Sequence, residues 1–372
     1  MSKLFEETEI NGMKLANRFV RSATWEGMAA DDGAVTPKLN DCLVKLAEGG
    51  VGLIISSHTY VHPRGQAGPW QLGVYKDELI SGLKTMTDAV HEKGGKIVMQ
   101  LAHAGYFASA KLIGQTPLAP SAVEGIAKSP RQEMTVAEIK EIVAAFARGA
   151  ERAKEAGFDG VQIHSAHGYL LSQFLSPAFN KRTDEYGGDI HNRAKIHTEV
   201  LQAIRDAIGT DYPVLIKMNS QDFIDGGLSL EDSVQVGKMM AEGGIDAIEI
   251  SGGMLHNPKS NPSRVGINNE EKEAYFREEA EAFRAKIDVP LILVGGNRSY
   301  QVAERLVDEG VVDYISLCRP FIREPGLINR WKSGDLRKAT CISDSQCFKP
   351  AMKGKGIYCI TEEREKQRAR ES

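Results

Sequence analysis

The sequence has few of the features that would assign it to a membrane, a disulfide-bonded scaffold or a nucleic-acid partner. Only five of its 372 residues are cysteines, an odd number lying mostly near the C-terminus, which argues against a disulfide framework. Its longest apolar runs are strand-sized, far short of the roughly 20 residues of a membrane span. The first residues lack the apolar run of a signal peptide. With a formal net charge of −4 there is no global positive field. We therefore expect a cytoplasmic protein with neither nucleic-acid nor membrane partners.

Short apolar runs alternate along the chain with amphipathic helical patterns. Amphipathic stretches between the runs end in glycine, which can stop a helix in a left-handed conformation. This alternation predicts right-handed crossovers and a parallel sheet. Eight strand–helix units over about 320 residues favour an α/β fold, a closed (β/α)8 TIM barrel. An open doubly wound sheet is the alternative, but no G-x-G-x-x-G follows the first strand. The predicted strands span residues 18–24, 51–57, 96–103, 160–166, 213–219, 247–253, 290–296 and 314–319.

Several segments lie outside this repeat. Residues 6–15 alternate around Asn11-Gly12, which predicts an N-terminal β-hairpin with a type I′ turn that plugs the N-terminal end of the barrel. Long insertions are predicted at the C-terminal face, where barrel enzymes build their sites, at 104–134, 168–189 and 254–270. We assign residues 1–335 to the barrel and 336–372 to a C-terminal extension that leaves it and ends in a charged mobile tail or solvated helix.

The polar residues at the predicted strand ends are rich in hydrogen-bond donors and nearly free of acids. Barrel hydrolases and isomerases usually need a carboxylate there, whereas Glu249 lies inside the sixth strand. A zinc site would need a third ligand, for which His103 is the candidate, and a Schiff-base lysine would need an acid–base partner. These two alternatives lack their supporting residues. The strand-end residues are Ser22, Thr24, Ser56, Ser57, Gln100, His103, His164, His167, Lys217, Asn219, Ser251, Gly295, Gly296 and Arg319.

A flavin nucleotide would suit such a pocket. Gly295 and Gly296 after the seventh strand, with Cys318 and Arg319 after the eighth, are typical of the barrel phosphate site of backbone N–H groups and a cation. Gln100 and Lys217 could face the electron-rich edge of a flavin ring, where an amide bonds the pyrimidine and a cation stabilises the reduced form.

Three stretches carry a resemblance to a known family: LFEETEINGMKLANRFVRSAT, VMQLAHAG and IHSAHGYLLSQFLSPAFNKRTDEYGG. Together they resemble the old yellow enzyme family, the FMN-dependent ene-reductases or NADH:flavin oxidoreductases, over about residues 3 to 335. The third stretch is similar to the family signature H-x-x-[HN]-G-Y-L…F-L-S-P…N-x-R-x-D-x-Y-G-G. The chain departs from the signature's continuation at Asp189 and His191.

The resemblance implies roles for individual residues. His164 and His167 would donate hydrogen bonds to the carbonyl oxygen of an α,β-unsaturated substrate as hydride from flavin N5 reaches the β-carbon. Tyr169 would give a proton to the α-carbon. Gln100 matches the glutamine that binds the flavin ring. Lys217 stands where the family usually has arginine, and lysine keeps the charge but lacks the bidentate guanidinium fork. Beside the flavin we expect Ser22, Ala23 and Thr24, with Trp25 as a wall of the substrate pocket.

The activity implied is reduction of the C=C bond of a small unsaturated carbonyl compound. FMN would be bound noncovalently and reduced by NADH or NADPH, with nucleotide and substrate alternating over one flavin face. A flavin-dependent amine or trimethylamine-type dehydrogenase or demethylase, and a non-catalytic FMN-binding barrel, remain alternatives. A homo-oligomer is compatible with the sequence.

The C-terminal cysteines depart from the pattern of larger relatives. Those relatives, which resemble 2,4-dienoyl-CoA reductase and 2-enoate reductase, hold a [4Fe–4S] cluster with four cysteines ahead of an FAD/NAD domain. This chain has Cys341, Asp344, Cys347 and Cys359 at that spacing. Because clusters strongly favour four thiolates, we expect a degenerate remnant without a metal or iron–sulfur cluster, and the barrel without the FAD/NAD domain. A three-cysteine-plus-aspartate cluster or a zinc site is the alternative.

Overall fold

The computed structural model describes residues 2–124, 130–255, 257 and 260–371, and its main element is a closed barrel of eight parallel strands. Each strand pairs with the next one along the chain, and the last pairs with the first. All eight predicted strands are present, which confirms the (β/α)8 barrel. They are β3 (Phe19–Arg21), β4 (Leu53–Tyr60), β5 (Ile97–Ala102), β8 (Gly160–Ser165), β9 (Val214–Asn219), β10 (Ala247–Ser251), β11 (Leu291–Leu293) and β12 (Tyr314–Leu317).

Helices surround the barrel and bury their apolar faces against it. The longest begins with a capping box, in which the Thr135 hydroxyl accepts from the Glu138 amide and the Glu138 carboxylate accepts from the Thr135 amide. The helices are α1 (Pro37–Glu48), α2 (Ile80–His91), α3 (Ala110–Ile113), α4 (Val136–Glu155), α5 (Leu170–Leu175), α6 (Ile190–Ile208), α7 (Leu230–Glu242), α8 (Arg277–Arg284), α9 (Tyr300–Asp308), α10 (Arg319–Arg323), α11 (Leu327–Lys332), α12 (Phe348–Ala351) and α13 (Ile360–Glu371).

The N-terminal hairpin consists of β1 (Thr8–Ile10) and β2 (Met13–Leu15), which pair antiparallel. Asn11 and Gly12 both have positive φ, 44° and 79°, as a type I′ turn requires. The apolar side chains of the hairpin pack against inward-facing residues at the start of the barrel strands, which confirms the predicted plug. That cluster contains Ile10, Met13, Leu15, Val20, Leu53, Ile55, Val98, Leu215, Ala247, Ile292 and Tyr314.

The opposite end of the barrel carries the long loops. The predicted insertion at 104–134 contains the short strands β6 (Leu118–Ala119) and β7 (Gln132–Glu133). Within the predicted insertions, residues 125–129, 256, 258 and 259 lie outside the described residues. No helix in the described part of the chain is both long and apolar enough to cross a membrane.

The C-terminal extension, residues 336–372, packs back against the barrel. The backbone amide of Ile357 donates to the carbonyl of Glu26 (2.8 Å), and the Arg319 guanidinium donates to the Ser345 hydroxyl (3.0 Å). Cys347 and Ala351 are buried against Trp25. The final helix α13 has no buried residues, and its residues 363–371 are exposed, as in a solvated helix. Local patterns do not reveal these contacts, since Ile357 and Cys347 meet residues more than 300 positions earlier in the chain.

Candidate active site

A cavity of about 1010 Å³ opens at the C-terminal ends of the barrel strands. This volume is at the upper end of the range for ligand pockets, roughly 300–1,000 Å³, so a nucleotide cofactor and a small substrate could share it. Every residue that the sequence placed at a cofactor or substrate contact lines this cavity. They are Ser22, Ala23, Thr24, Trp25, Gln100, His164, His167, Tyr169, Lys217, Gly295, Gly296, Cys318 and Arg319.

Strand β8 and the turn after it place the two histidines and the tyrosine together. The ring centroid of His164 lies 4.9 Å from that of Tyr169 and 5.5 Å from that of His167. His167 has a positive φ of 63°, and its backbone amide donates to Asn219 Oδ1 (2.9 Å). Its ring Nε2 lies 2.7 Å from Ser251 Oγ. A left-handed conformation is costly for a histidine, so the turn is held by these contacts rather than by local preference.

The protonation states suit donation of hydrogen bonds and of a proton. Burial, followed by the neighbouring imidazole and ammonium groups, holds the pKa of His164 well below its ordinary value. Burial and then the Lys217 ammonium do the same for the pKa of His167. Both rings are therefore neutral at pH 7, and each keeps one N–H. Burial raises the pKa of Tyr169, so its hydroxyl is protonated at neutral pH.

A third histidine, His58, belongs to this group and was missed by the sequence analysis. Its ring centroid lies 5.4 Å from Tyr169 and 6.4 Å from His164. Gln71 Nε2 donates to His58 Nδ1 (3.0 Å), which leaves the ring proton on Nε2, and burial lowers the pKa of His58 to about 4. The strand was predicted to end at Ser57. Instead, β4 continues past a register shift between Ile55 and His58, which reorients the following side chains.

Four predicted strand-end residues do not line the cavity. One of them, Asn219, supports the site from behind by accepting from the backbone amide of His167. His103 Nδ1 accepts from the backbone amide of Gly105 (3.0 Å), and its ring lies against His62 instead. Ser56 and Ser57 are buried in the sheet, where the Ser56 hydroxyl donates to the Ser57 carbonyl (3.0 Å). His103 is thus unavailable as a third ligand beside His164. Among the described residues no group of three or more His, Cys, Asp or Glu is arranged to hold a metal ion.

At the floor of the cavity, Lys217 forms an ion pair with Glu249, which is buried behind the cavity wall. Lys217 Nζ lies 3.1 Å from Glu249 Oε1 and donates to Ser22 Oγ at 2.7 Å. No Asp or Glu of the described residues lines the cavity, as the strand-end residues predicted, and Glu249 lies inside its strand as expected, in contact with the cavity-lining Lys217. The two residues are register partners on β9 and β10, and only the strand pairing shows that they are neighbours.

The far end of the cavity has the features of an anion site. Gly295 and Gly296 have positive φ of 137° and 78°, and a Cβ on Gly296 would lie 2.9 Å from the Tyr275 ring. Glycine is therefore needed for this turn to pass beside the ring. Arg319 is buried at the start of α10 and supplies the cation. Thr24 Oγ1 lies 3.1 Å from Cys318 Sγ, which joins the first and last barrel strands beside the anion site.

The C-terminal extension supplies part of the cavity wall, through Ser343, Ser345, Phe348 and Met352. In the turn that carries the C-terminal cysteines, residues 341–347, polar groups hydrogen-bond to other residues of the protein. Asp344 Oδ2 accepts from the Thr361 hydroxyl (2.6 Å), the Cys341 carbonyl accepts from the Arg298 guanidinium, and Cys347 is buried. All the cysteines are free thiols.

A parallel barrel with a cation-and-glycine anion site and a donor-rich cavity is typical of enzymes that bind a phosphorylated cofactor at their C-terminal face. Residues 3–337 match the model of the NADH:flavin oxidoreductase / NADH oxidase family, so the chain belongs to this family, and the predicted resemblance is confirmed. The family binds FMN and uses NAD(P)H.

Individual relatives agree with this assignment. The chain is 36% identical over 349 residues to the NADH oxidase of Thermoanaerobacter brockii, covering 91% of this chain and 52% of that protein. A 2-naphthoyl-CoA reductase solved as a complex with 2-naphthoyl-CoA superposes with a TM-score of 0.89 at 29% identity, over 96% of this chain and 56% of that one. The old yellow enzyme homologue from Zymomonas mobilis gives a TM-score of 0.78 at 26% identity, over 92% and 96%. The chain spans about half the length of the first two of these proteins.

The cavity fits FMN by its own features. Its volume accommodates a flavin nucleotide, and the turn at Gly295 and Gly296 leaves backbone N–H groups beside Arg319 for a phosphate. Gln100 and Lys217 lie at the opposite, floor end with polar atoms suited to a pyrimidine edge. His164 Nδ1 is buried and has no hydrogen-bond partner in the described structure, as expected of a group that meets its partner in a bound ligand.

Proposed function

We propose that this protein is an FMN-dependent NAD(P)H oxidoreductase that reduces the C=C bond of α,β-unsaturated carbonyl compounds. The observation that carries the proposal is the convergence of two neutral buried imidazoles and a protonated phenol on the cavity that fits FMN. None of these groups is bound to a carboxylate, and a substrate oxygen is the acceptor that would satisfy them.

The residues that would hold FMN are Arg319 and the backbone of Gly295 and Gly296 at the phosphate, and Gln100 and Lys217 at the pyrimidine edge. The bound flavin would supply the hydride chemistry that no side chain can provide. Thr24, beside Cys318, lies where it could hydrogen-bond the ring.

His164 and His167 would bind the substrate's carbonyl oxygen. Two neutral N–H donors in a buried site stabilise the negative charge that develops on that oxygen as the β-carbon is reduced, a contribution typically worth ~10²–10³ in rate for each donor. The Ser251 hydroxyl, 2.7 Å from His167 Nε2, fixes the orientation of that ring.

Tyr169 would deliver the proton to the α-carbon. Its raised pKa keeps the proton available at neutral pH, and its ring is fixed between those of His58 and His164. A proton donor on one side of a bound alkene and hydride from the other give addition across the double bond. Trp25 forms part of the wall that would exclude water and shape the substrate pocket.

The proposal is tested by incubating the purified protein with FMN, NADH or NADPH, and a simple cyclic enone or a tertiary amine. We expect FMN to be retained on gel filtration. Under anaerobic conditions, oxidation of NAD(P)H beyond one equivalent of flavin should require the enone, with saturated ketone as the product. Reduction of the oxidised bound FMN by the amine, without enone reduction, would instead favour an amine dehydrogenase. FMN binding without either reaction would favour a non-catalytic barrel.

A further inference from the structure

Behind the cavity floor lies a buried carboxylate to which the proposed reaction gives no role, that of Glu249. Glu249 is completely buried behind the cavity wall, whereas its partner Lys217 lines the cavity. Its Oε1 accepts from Ser22 Oγ (2.7 Å), Ser316 Oγ (2.9 Å) and Lys217 Nζ (3.1 Å). Its Oε2 accepts from Gln162 Nε2 (3.0 Å). So complete a set of donors is characteristic of an ionised buried carboxylate.

The charge of Glu249 opposes that of Lys217. Burial raises the pKa of Glu249, but the Lys217 ammonium and then the hydroxyl and amide donors more than offset this, so the pKa lies below its ordinary value. The carboxylate is therefore negative at neutral pH and forms a buried ion pair. A ligand at the cavity floor meets a lysine whose charge is largely compensated, instead of an isolated ammonium.

The carboxylate also sets the direction of a hydrogen-bond relay that reaches the cavity. An ionised carboxylate can only accept, so Gln162 must turn its amide nitrogen toward Glu249. Gln162 Oε1 then accepts from Gln100 Nε2 at 2.7 Å. No described residue donates to Gln100 Oε1, and this oxygen is left to accept a hydrogen bond from a bound ligand. The carboxylate thereby fixes an amide orientation that would otherwise be ambiguous.

We propose that Glu249 is a positioning residue for the flavin, which moderates the positive charge of Lys217 and makes Gln100 present an acceptor to the pyrimidine N–H. This inference rests on the FMN site of the proposed function. Reduced flavin carries more negative charge than oxidised flavin, so a positive charge nearby raises the reduction potential. Glu249 holds that potential lower than Lys217 alone would set it, which favours giving up hydride.

The test is the reduction potential of bound FMN in Glu249→Gln, measured by spectroelectrochemistry. The substitution keeps the size of the side chain and removes its charge, so we expect the potential to become more positive than in the wild type. The double variant Lys217→Gln/Glu249→Gln removes both charges and is expected to return the potential toward the wild-type value. In Glu249→Gln the new amide can donate as well as accept, so the amides of Gln162 and Gln100 are free to turn over and Gln100 can lose its acceptor toward the flavin. We expect FMN affinity to fall by about 2- to 10-fold, the range for one neutral hydrogen bond.

The matched control is Asp159→Asn, which breaks a lysine–carboxylate pair at the other end of the barrel. Asp159 accepts from Lys96 Nζ (2.7 Å) and from the Ile97 amide, ahead of the cavity-forming parts of the strands. This variant is expected to lose stability but to keep the wild-type potential. If Glu249→Gln does not fold, Glu249→Asp, whose charge lies farther from Lys217, is expected to shift the potential in the same direction by less.

An unchanged or more negative potential in the Glu249 variant, or an equal shift in Asp159→Asn, would overturn the proposal. These outcomes are separable from failure of the proposed function. A wild-type protein that binds FMN but reduces no enone refutes the function, while the potentials still decide the role of Glu249. A wild-type protein that takes up no FMN refutes both.

Discussion

The two ends of the barrel are built from the same eight strands, but one end is packed against the hairpin and the other forms the cavity. On β9 the inward-facing residues are Leu215, Lys217 and Asn219, and on β10 they are Ala247, Glu249 and Ser251. The first of each triplet packs against the hairpin. Of the later ones, Lys217 and Ser251 line the cavity, and Glu249 and Asn219 support it from behind. Because side chains two residues apart share a face, one strand contributes apolar packing at its start and polar residues of the candidate site at its end.

This difference predicts that changes at the two ends are separable. Substitutions at the plugged end should alter the free energy of unfolding without altering the cavity. Substitutions at the open end should alter ligand binding or turnover more than stability. The following variants probe that separation.

Ile10→Ala at the plugged end should have the largest effect on stability. Ile10 is buried in the cluster beneath the barrel, and truncation of such a side chain typically costs ~2–5 kcal/mol through lost burial and the cavity left behind. Urea unfolding of the FMN-free protein measures this loss. FMN affinity of the folded variant should be unchanged, and a marked drop in affinity would show that the two ends are coupled.

His164→Ala at the open end should slow reoxidation of the reduced protein by an enone by ~10²–10³-fold, because it removes one of two donors to the developing oxyanion. Stopped-flow absorbance under anaerobic conditions follows the step directly. The matched control is His197→Ala, which removes a buried histidine behind the same strand, where its Nε2 lies 2.8 Å from Ser165 Oγ. Equal slowing in both variants would argue that His164 acts only through packing.

Arg319→Ala should weaken FMN binding by about 10- to 100-fold, the range for a lost hydrogen bond to a charged group. Equilibrium titration with FMN, followed by flavin fluorescence, gives the dissociation constants. Arg323→Ala is the control on the same helix α10, since Arg323 pairs with Glu365 of the exposed C-terminal helix. Similar losses in the two variants would place the phosphate elsewhere.

The smallest expected effect is the pH dependence contributed by His58. The pKa of His58 is lowered by burial to about 4, against an ordinary value near 6.5 in the unfolded chain. Between these values the unfolded state binds a proton that the folded state does not, so stability is full above pH 6.5 and falls as the pH drops toward 4. His58→Gln should reduce the loss of unfolding free energy between pH 7.5 and 5 by about 1 to 2 kcal/mol. Identical pH profiles for variant and wild type would contradict the assignment.

Much of the fold could be predicted because it depends on local patterns. The strands follow from apolar runs bounded by glycine, and the hairpin follows from Asn11-Gly12. The placement of His164, His167 and Tyr169 in one cavity followed from their position after a strand and from the family signature.

Other features depend on tertiary geometry that no local pattern contains. A register shift brings His58 into the cavity, and counting strand ends cannot tell that His103 faces away from it. Glu249 has an ordinary mid-strand position, and its significance depends on register with Lys217 on the neighbouring strand. Ser345 accepts a hydrogen bond from Arg319 and so ties the C-terminal extension to the end of the last barrel strand. The cysteine spacing around Ser345 indicated only a lost iron–sulfur site.

The most direct test of the central claim is isotope placement in the product of enone reduction. The wild-type protein with FMN and unlabelled NAD(P)H should be run in D₂O, and the saturated ketone analysed by NMR and mass spectrometry after exchangeable positions have been accounted for in a product-only control. We expect solvent deuterium at the α-carbon, where Tyr169 delivers the proton. The β-carbon receives the hydrogen of flavin N5, which can itself exchange with solvent, so the α-carbon is the deciding position. A saturated ketone without solvent deuterium at the α-carbon, or no saturated ketone, would contradict the account.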